Sequence, residues 1–209
     1  MSAATQPPLE IWFEFSSTYS YLTVMRAEAL LTTAALRPVW RPFLLGPVLR
    51  RRGYASSPFV LDLAKGTHMW RDVERRAALF GLPFVRPPTF PMNGLLAARA
   101  MTAALDEPWA GDFAQGVMRL GFGRGGDIAD PGLIREALAE VADDPERWLD
   151  RAQSGVVKAA LRERTEEAAR LGMFGAPHFR AGDEVFWGDD RLEEAVLWAQ
   201  GRHPACHLS

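Results

Sequence analysis

The hydrophobic period of the chain changes early, and this change constrains the fold more than any other feature. Over residues 9–15 apolar side chains alternate with other residues, which is the period of a β-strand. From Tyr21 onward the apolar positions follow helical spacing, and Ser17 or Thr18 is a natural N-cap between the two patterns. Residues 37–43 then predict a second strand. A strand, a helix and a strand of these lengths predict a right-handed βαβ unit with parallel strands.

The middle of the chain predicts helices. It is rich in Ala, Leu, Arg and Glu and has few β-branched runs. Clusters of proline and glycine divide it into separate segments. The predicted helices lie near 60–81, 93–105, 108–121, 131–142 and 154–171, with a shorter helix that opens at Pro145.

The end of the chain returns to strand patterns. Residues 178–181 and 184–187 flank Gly182-Asp183, a two-residue loop that favours a type II′ hairpin. Asp189 or Asp190 is then expected to cap a last helix. The resulting order, β-α-β, a helical block, then β-β-α, predicts an α/β thioredoxin-like fold with one mixed sheet.

Two predicted domains follow from this order. The thioredoxin-like domain is discontinuous and comprises 9–45 plus 172–200, and a large all-helical insertion domain comprises 46–171. In such an arrangement the start of the first helix and the loop before the third strand meet at one edge of the sheet.

Composition excludes several classes of function. Lys and Arg number 24 against 26 Asp and Glu, so a general nucleic-acid or membrane-surface role is not expected. The single cysteine, Cys206, cannot form an internal disulfide, and no metal-ligand spacing occurs. Residues 1–8 lack a signal-peptide pattern, and no apolar stretch approaches about 18 residues. We therefore expect a cytoplasmic protein without a metal.

The turn into the first helix is the first candidate site. A thioredoxin-like protein carries a C-x-x-C pair here, whereas this chain has Ser17 and Ser20. Disulfide exchange is impossible without thiols, which disfavours a thiol oxidoreductase. A helix N-terminus carries partial positive charge and free N–H groups, so it can hold an external thiolate, with Ser17 as hydrogen-bond donor. The alternative is that Ser17 is only an N-cap.

The Ala176-Pro177 peptide is the second candidate site. A proline that opens the third strand of a thioredoxin-like sheet is typically cis. The backbone N–H and C=O of Ala176 would then lie beside the first helix, where they can pair with an extended peptide. The alternative is an ordinary edge-strand proline.

The third candidate is the predicted helix start at Trp187-Gly188-Asp189-Asp190. Free amides at a helix start suit a carboxylate, and an Asp side chain suits an α-ammonium group. The alternative is simple capping.

Taken together, these motifs carry a family resemblance over 11–199. The segment Phe13-Glu14-Phe15-Ser16-Ser17-Thr18-Tyr19-Ser20-Tyr21-Leu22 follows the pattern F-D-F-x-S-P-Y-x-Y-L, with Glu14 in place of Asp and Thr18 in place of Pro. Further matching segments are 41–46, 64–66, 69–72, 90–93, 174–177 and 186–192. The chain resembles the 2-hydroxychromene-2-carboxylate isomerase family, with kappa-class glutathione transferases as close relatives.

The resemblance implies a site for glutathione. Ser17 would be the catalytic residue that binds and activates the glutathione thiol, and Ala176 with Pro177 would bind the cysteinyl unit. The γ-glutamyl end would lie against Trp187, Gly188, Asp189 and Asp190. Lys65 would lie near the substrate or a glutathione carboxylate, or would be a surface residue.

The resemblance also implies an activity. It is a glutathione-dependent isomerisation by reversible thiolate addition to a small aromatic or conjugated acid, in a protein expected to be a homodimer. The alternatives are a kappa-like transferase that conjugates electrophiles and a non-catalytic thioredoxin-fold binding module.

Overall fold

A single four-stranded sheet forms the centre of the protein, whose computed structural model describes residues 8–207. Its strands follow the order β2-β1-β3-β4. β2 pairs parallel to β1, whereas β3 pairs antiparallel to both β1 and β4. The predicted βαβ unit and mixed sheet are therefore confirmed. The strands are β1 (Leu9–Phe13), β2 (Pro38–Pro42), β3 (His178–Ala181) and β4 (Glu184–Trp187). The segment predicted to lack a signal peptide comprises residues 1–8, and residues 1–7 of it lie outside the described residues.

Helices surround this sheet. None of the described helices is long and apolar enough to cross a membrane. A π-helical turn, Arg119–Gly123, ends the segment after α6, and a 3-10 turn, Asp189–Arg191, precedes α10. The α-helices are α1 (Thr18–Thr33), α2 (Leu45–Arg51), α3 (Pro58–Leu61), α4 (Leu63–Leu79), α5 (Leu95–Ala103), α6 (Ala110–Met118), α7 (Pro131–Ala139), α8 (Pro145–Ala152), α9 (Gly155–Arg170) and α10 (Leu192–Ala199).

The helix predicted near 60–81 is divided in two. Asp62 is extended, and its carboxylate accepts the N–H groups of Ala64 and Lys65, so it caps α4 and separates it from α3. The helix α2 was not predicted. Its first residue, Leu45, has its N–H bound to the Glu14 carboxylate, a contact between segments far apart in sequence.

Both faces of β1 are covered, because every residue of this strand is buried. On one face Phe13 packs edge-on against Phe15 and Trp40, as part of the main core. On the other face Trp12 belongs to a smaller apolar cluster with residues of α2 and α9. The buried Glu10 carboxylate accepts the Trp12 indole N–H at 3.0 Å and pairs with Arg41 at 2.7 Å.

The end of the chain agrees with one prediction and corrects another. Ala181 pairs with Glu184 across a two-residue loop in which Gly182 has a φ of +64°, as a type II′ turn requires. The carboxylate cap predicted for the last helix is wrong. Arg191 occupies the N-cap position of α10 and makes no side-chain capping bond. The Asp189 side chain instead bonds to arginines of two other helices.

Candidate active site

The start of α1 and the residue before Pro177 are joined directly. Ser17 is the N-cap of α1, and its Oγ accepts the Ser20 N–H at 3.2 Å. The same hydroxyl donates to the carbonyl oxygen of Ala176, with 2.9 Å between the oxygens. Ser17 is therefore an N-cap, as one of the two predicted candidates, and its hydroxyl proton points at the loop that precedes β3.

The Ala176-Pro177 peptide bond is cis. The Pro177 carbonyl accepts the Gly188 N–H at 3.1 Å, so this loop is bonded to the segment after β4. The Ala176 N–H has no hydrogen-bond acceptor within residues 8–207. Among the same described residues, Ser17 alone binds its carbonyl, and a ligand that displaces the hydroxyl would find both a donor and an acceptor at Ala176.

A cleft of about 1280 Å³ opens over this junction. It is larger than the ~300–1,000 Å³ usual for a small-molecule pocket, so it has room for two ligands. Of the residues that the resemblance assigns to the glutathione site, Pro177 does not line the cleft. The others all line it, namely Ser17, Lys65, Ala176, Trp187, Gly188, Asp189 and Asp190.

An aromatic cluster forms the wall next to Ala176. Trp187 packs edge-on against Phe174 with ring centroids 4.6 Å apart, and both rings reach the cleft. Behind them the His178 ring packs edge-on against Phe174, with ring centroids 5.2 Å apart. The Nδ1 atom of His178 lies 3.1 Å from the Gly175 carbonyl oxygen. Burial lowers the pKa of His178 to about 4, so this imidazole is neutral at pH 7.

A buried ion-pair network lies below the Trp187–Asp190 segment. The Asp189 carboxylate accepts bonds from Thr23 at 3.1 Å, from Arg26 at 3.0 Å and from Arg76 at 2.5 Å. The Asp189 side chain is 1 % exposed. Its oxygens are saturated by protein groups, so the carboxylate that remains accessible to a ligand ammonium is that of Asp190, whose side chain is 55 % exposed.

Three polar residues on one face of α4 form another part of the cleft wall. Lys65, Asp72 and Arg76 are spaced by seven and four residues, which places them on the same helical face. Asp72 accepts the Tyr19 hydroxyl at 3.0 Å, and burial raises the pKa of this tyrosine. The Lys65 ammonium is exposed and lies 3.6 Å from Asp62. Sequence reasoning singled out Lys65 and missed Asp72 and Arg76, although their spacing was visible.

A comparison with known families decides the classification of this fold. The profile of the DSBA-like thioredoxin domain matches residues 8–196. The chain belongs to the DsbA-like family. Unlike a redox thioredoxin site, the DsbA-like site seen here has serines at the start of α1, and Cys206 lies away from it beside the carbonyl oxygen of Trp198, at 4.0 Å.

Relatives of this DsbA-like chain include isomerases and a transferase. It is 25% identical to a 2-hydroxychromene-2-carboxylate isomerase of Sphingobium xenophagum, over 88% of this chain and 94% of the relative. It is 26% identical to glutathione S-transferase kappa 2 of Caenorhabditis elegans, over 90% and 89% of the two chains. A solved structure of 2-hydroxychromene-2-carboxylate isomerase has the same fold, with a TM-score of 0.84, 24% identity, and 96% and 98% of the chains covered.

The remaining part of the DsbA-like cleft is apolar with a cationic rim. Leu49, Tyr54 and Phe59 line it, and Arg50 and Arg52 stand at its edge. Neither of these two arginines forms an ion pair with any of the described residues, and the Arg52 guanidinium lies 5.7 Å from the centre of the Phe174 ring. This region suits a flat apolar molecule that carries negative charge.

Glu14 is a further cleft residue to which sequence reasoning gave no role. It directly follows β1 and is 8 % exposed. Its carboxylate accepts the Leu45 N–H at 2.7 Å. Burial raises its pKa to about 7, against the opposing effects of the Leu45 amide and the Ser16 hydroxyl.

Proposed function

We propose that this DsbA-like protein is a glutathione-dependent isomerase of the 2-hydroxychromene-2-carboxylate isomerase type. The observation that carries the proposal is the contact between Ser17, at the N-terminus of α1, and the backbone of Ala176, at a site without a protein thiol. The positive end of the helix favours an anion, and a peptide backbone is available beside it. Both groups match the cysteinyl unit of glutathione.

Glutathione binding is expected to exchange one hydrogen bond for three. The Ser17 hydroxyl turns from the Ala176 carbonyl to the sulfur, and the cysteinyl N–H of glutathione takes the carbonyl that is released. The Ala176 N–H, which has no acceptor among the described residues, pairs with the cysteinyl carbonyl. The γ-glutamyl ammonium then lies against Asp190, and its carboxylate meets the first amides of the 3-10 turn, which have no partner within the turn.

The energy needed to ionise the thiol is within reach of this site. A cysteine thiol has a pKa of about 8.5, and lowering it by one unit takes about 1.4 kcal/mol. A helix N-terminus contributes about 0.3–1 kcal/mol and a hydrogen bond to a charged group about 1.5–3 kcal/mol. Together they stabilise a thiolate at pH 7.

The proposed reaction needs no oxidant. The thiolate adds to a conjugated carbon of the chromene acid, the ring opens, a bond rotates, and elimination of the thiolate gives the trans-benzylidenepyruvate. The apolar part of the cleft at Leu49, Tyr54 and Phe59 would hold the aromatic ring. Arg50 and Arg52 at its edge carry the charge that a substrate carboxylate requires.

Conjugation of electrophiles is the second candidate activity. The size of the cleft and the kappa-class relative favour it, and it would use the same glutathione contacts. A stable thioether product distinguishes transferase from isomerase. A non-catalytic module would bind neither glutathione nor an electrophile in a reactive position.

Calorimetry and ultraviolet titration of bound glutathione test the proposal. We expect the unchanged protein to bind glutathione and lower its thiol pKa, and we expect Ser17→Ala to raise that pKa and reduce turnover of 2-hydroxychromene-2-carboxylate. Ser154→Ala is the matched control, because Ser154 caps α9 in the same way, through the Val157 N–H. No binding at millimolar glutathione, or an unchanged thiol pKa in Ser17→Ala, would contradict the proposal.

A further inference from the structure

Glu14 is bonded into the turn that carries Ser17. Its carbonyl oxygen accepts the Ser17 N–H at 3.1 Å, and its own N–H donates to Ser20 Oγ at 3.3 Å. These two bonds fix the backbone of Glu14, from which the carboxyl group projects, three residues before Ser17. It lines the same cleft as Ser16 and Ser17.

The Glu14 side chain has polar partners but no cation. The Leu45 N–H, the first amide of α2, donates to one carboxylate oxygen, and the Ser16 hydroxyl also bonds to the group. Among the described residues, none forms an ion pair with it. A carboxyl that is this deeply buried without a cation is held partly in its protonated form near neutral pH.

The other charged groups of the cleft are engaged elsewhere or stand at its rim. Arg50 and Arg52 project from α2 and its end, Lys65 pairs with Asp62, and Arg76 pairs with Asp189. Asp72 is bound by Tyr19 and Arg75, and Asp190 and Arg191 contact each other. None of these charges contributes to the raised pKa of Glu14, whose cause is burial, opposed in part by the Leu45 amide and the Ser16 hydroxyl.

We propose that Glu14 is the general acid of this site, giving a proton to the enolate that forms when glutathione adds to a conjugated carbonyl compound and taking it back on elimination. The inference rests on the proposed function. In the addition step the carbon–sulfur bond forms and the carbon–carbon π pair moves to the carbonyl side. The enolate takes the Glu14 proton and leaves a carboxylate. When the thiolate is eliminated, the Glu14 carboxylate takes the proton back from carbon. When the adduct is the product, water protonates the Glu14 carboxylate again.

A comparison of two electrophiles isolates this role. Addition of glutathione to benzylideneacetone requires a proton on the adduct, whereas substitution on chlorodinitrobenzene expels chloride and requires none. Glu14→Gln keeps an oxygen that can accept the Leu45 and Ser16 bonds but cannot deliver a proton. We expect the ratio of the benzylideneacetone rate to the chlorodinitrobenzene rate to fall on the order of 100-fold. Glu14→Asp is expected to restore part of the ratio.

The pH profile supplies a second readout. In the unchanged protein the kcat for benzylideneacetone should decline as pH rises through about 7, where Glu14 loses its proton, and this decline should vanish in Glu14→Gln. An equal loss of rate with both electrophiles, or no loss with either, would overturn the role assigned to Glu14 and leave the proposed function standing. The same conclusion follows if the unchanged protein binds glutathione but does not add it to benzylideneacetone. Absence of glutathione binding would overturn the proposed function and this inference together.

Discussion

The hydroxyl of Ser17 and the carbonyl oxygen of Ala176 lie 2.9 Å apart, although 159 residues separate them in the chain. The contact joins the segment after β1 to the segment before β3, at the N-terminus of α1. It also means that the hydroxyl occupies, in this structure, the acceptor that a peptide ligand would use. Under the proposed function, ligand binding is therefore a competition for this carbonyl group.

A thiol placed at residue 17 should report the electrostatics of the helix end. In a Cys206→Ser background, Ser17→Cys is expected to give a thiol with a pKa at least about one unit below the ordinary ~8.5, because the N–H groups of α1 favour the thiolate. The pH dependence of its alkylation rate by iodoacetamide measures this pKa, with free glutathione as the control. A pKa at or above that of free glutathione would contradict the role given to the helix N-terminus.

Removal of the Asp189 charge should destabilise the fold. Asp189→Asn leaves Arg26 and Arg76 partly buried without their carboxylate, so we expect a loss of about 3 kcal/mol in the free energy of unfolding, measured with urea. Glu193→Gln removes the exposed partner of Arg26 and is expected to cost less than about 1 kcal/mol. Similar losses of unfolding free energy in the two variants would show that the buried ion pairs contribute no more stability than the exposed pair.

Acid should destabilise the protein through His178. Its pKa in the folded state is about 4, below the ordinary 6.5, so the unfolded chain binds the proton more tightly. The free energy of unfolding therefore falls as pH drops from about 6.5 to about 4, by up to about 3 kcal/mol from this group. His178→Asn removes the titrating ring, and its stability should decline less over that range. Parallel stability curves for the two proteins would refute the assignment.

Gly66 should tolerate no side chain. A Cβ at this position would lie 2.3 Å from the carbonyl oxygen of Phe59, which is backbone and cannot rotate away. Gly66→Ala is expected to displace α3 from α4, to cost about 1–3 kcal/mol in thermal or urea unfolding, and to alter ligand binding beside Phe59. Gly155→Ala is the control, since nothing lies within 4 Å of the added carbon. No loss in Gly66→Ala relative to this control would contradict the close approach.

Much of the fold was predictable because its signals are local. The change of period around Ser17 and the Gly182-Asp183 loop depend on neighbouring residues, and both were confirmed. The break at Asp62 was missed because a capping carboxylate competes with a continuous helical pattern. The burial of both faces of β1 was not visible, because alternation alone does not reveal what covers the Trp12 side.

The site was predictable where motifs meet and not where distant charges pair. Ser17, Ala176 and Trp187 follow from the order of strands and helices, which places their segments at one edge of the sheet. The partners of Asp189 come from α1 and α4, and Arg76 is 113 residues away. No local pattern distinguishes a capping aspartate from one that two arginines bind.

Residues 54–59 of the cleft wall lie at the protein surface. None of residues 50–61 is buried, and α3 contributes no residue to the core. Substitutions there carry little penalty for folding. Substitutions can therefore change the shape and charge of this wall while the start of α1 keeps its structure.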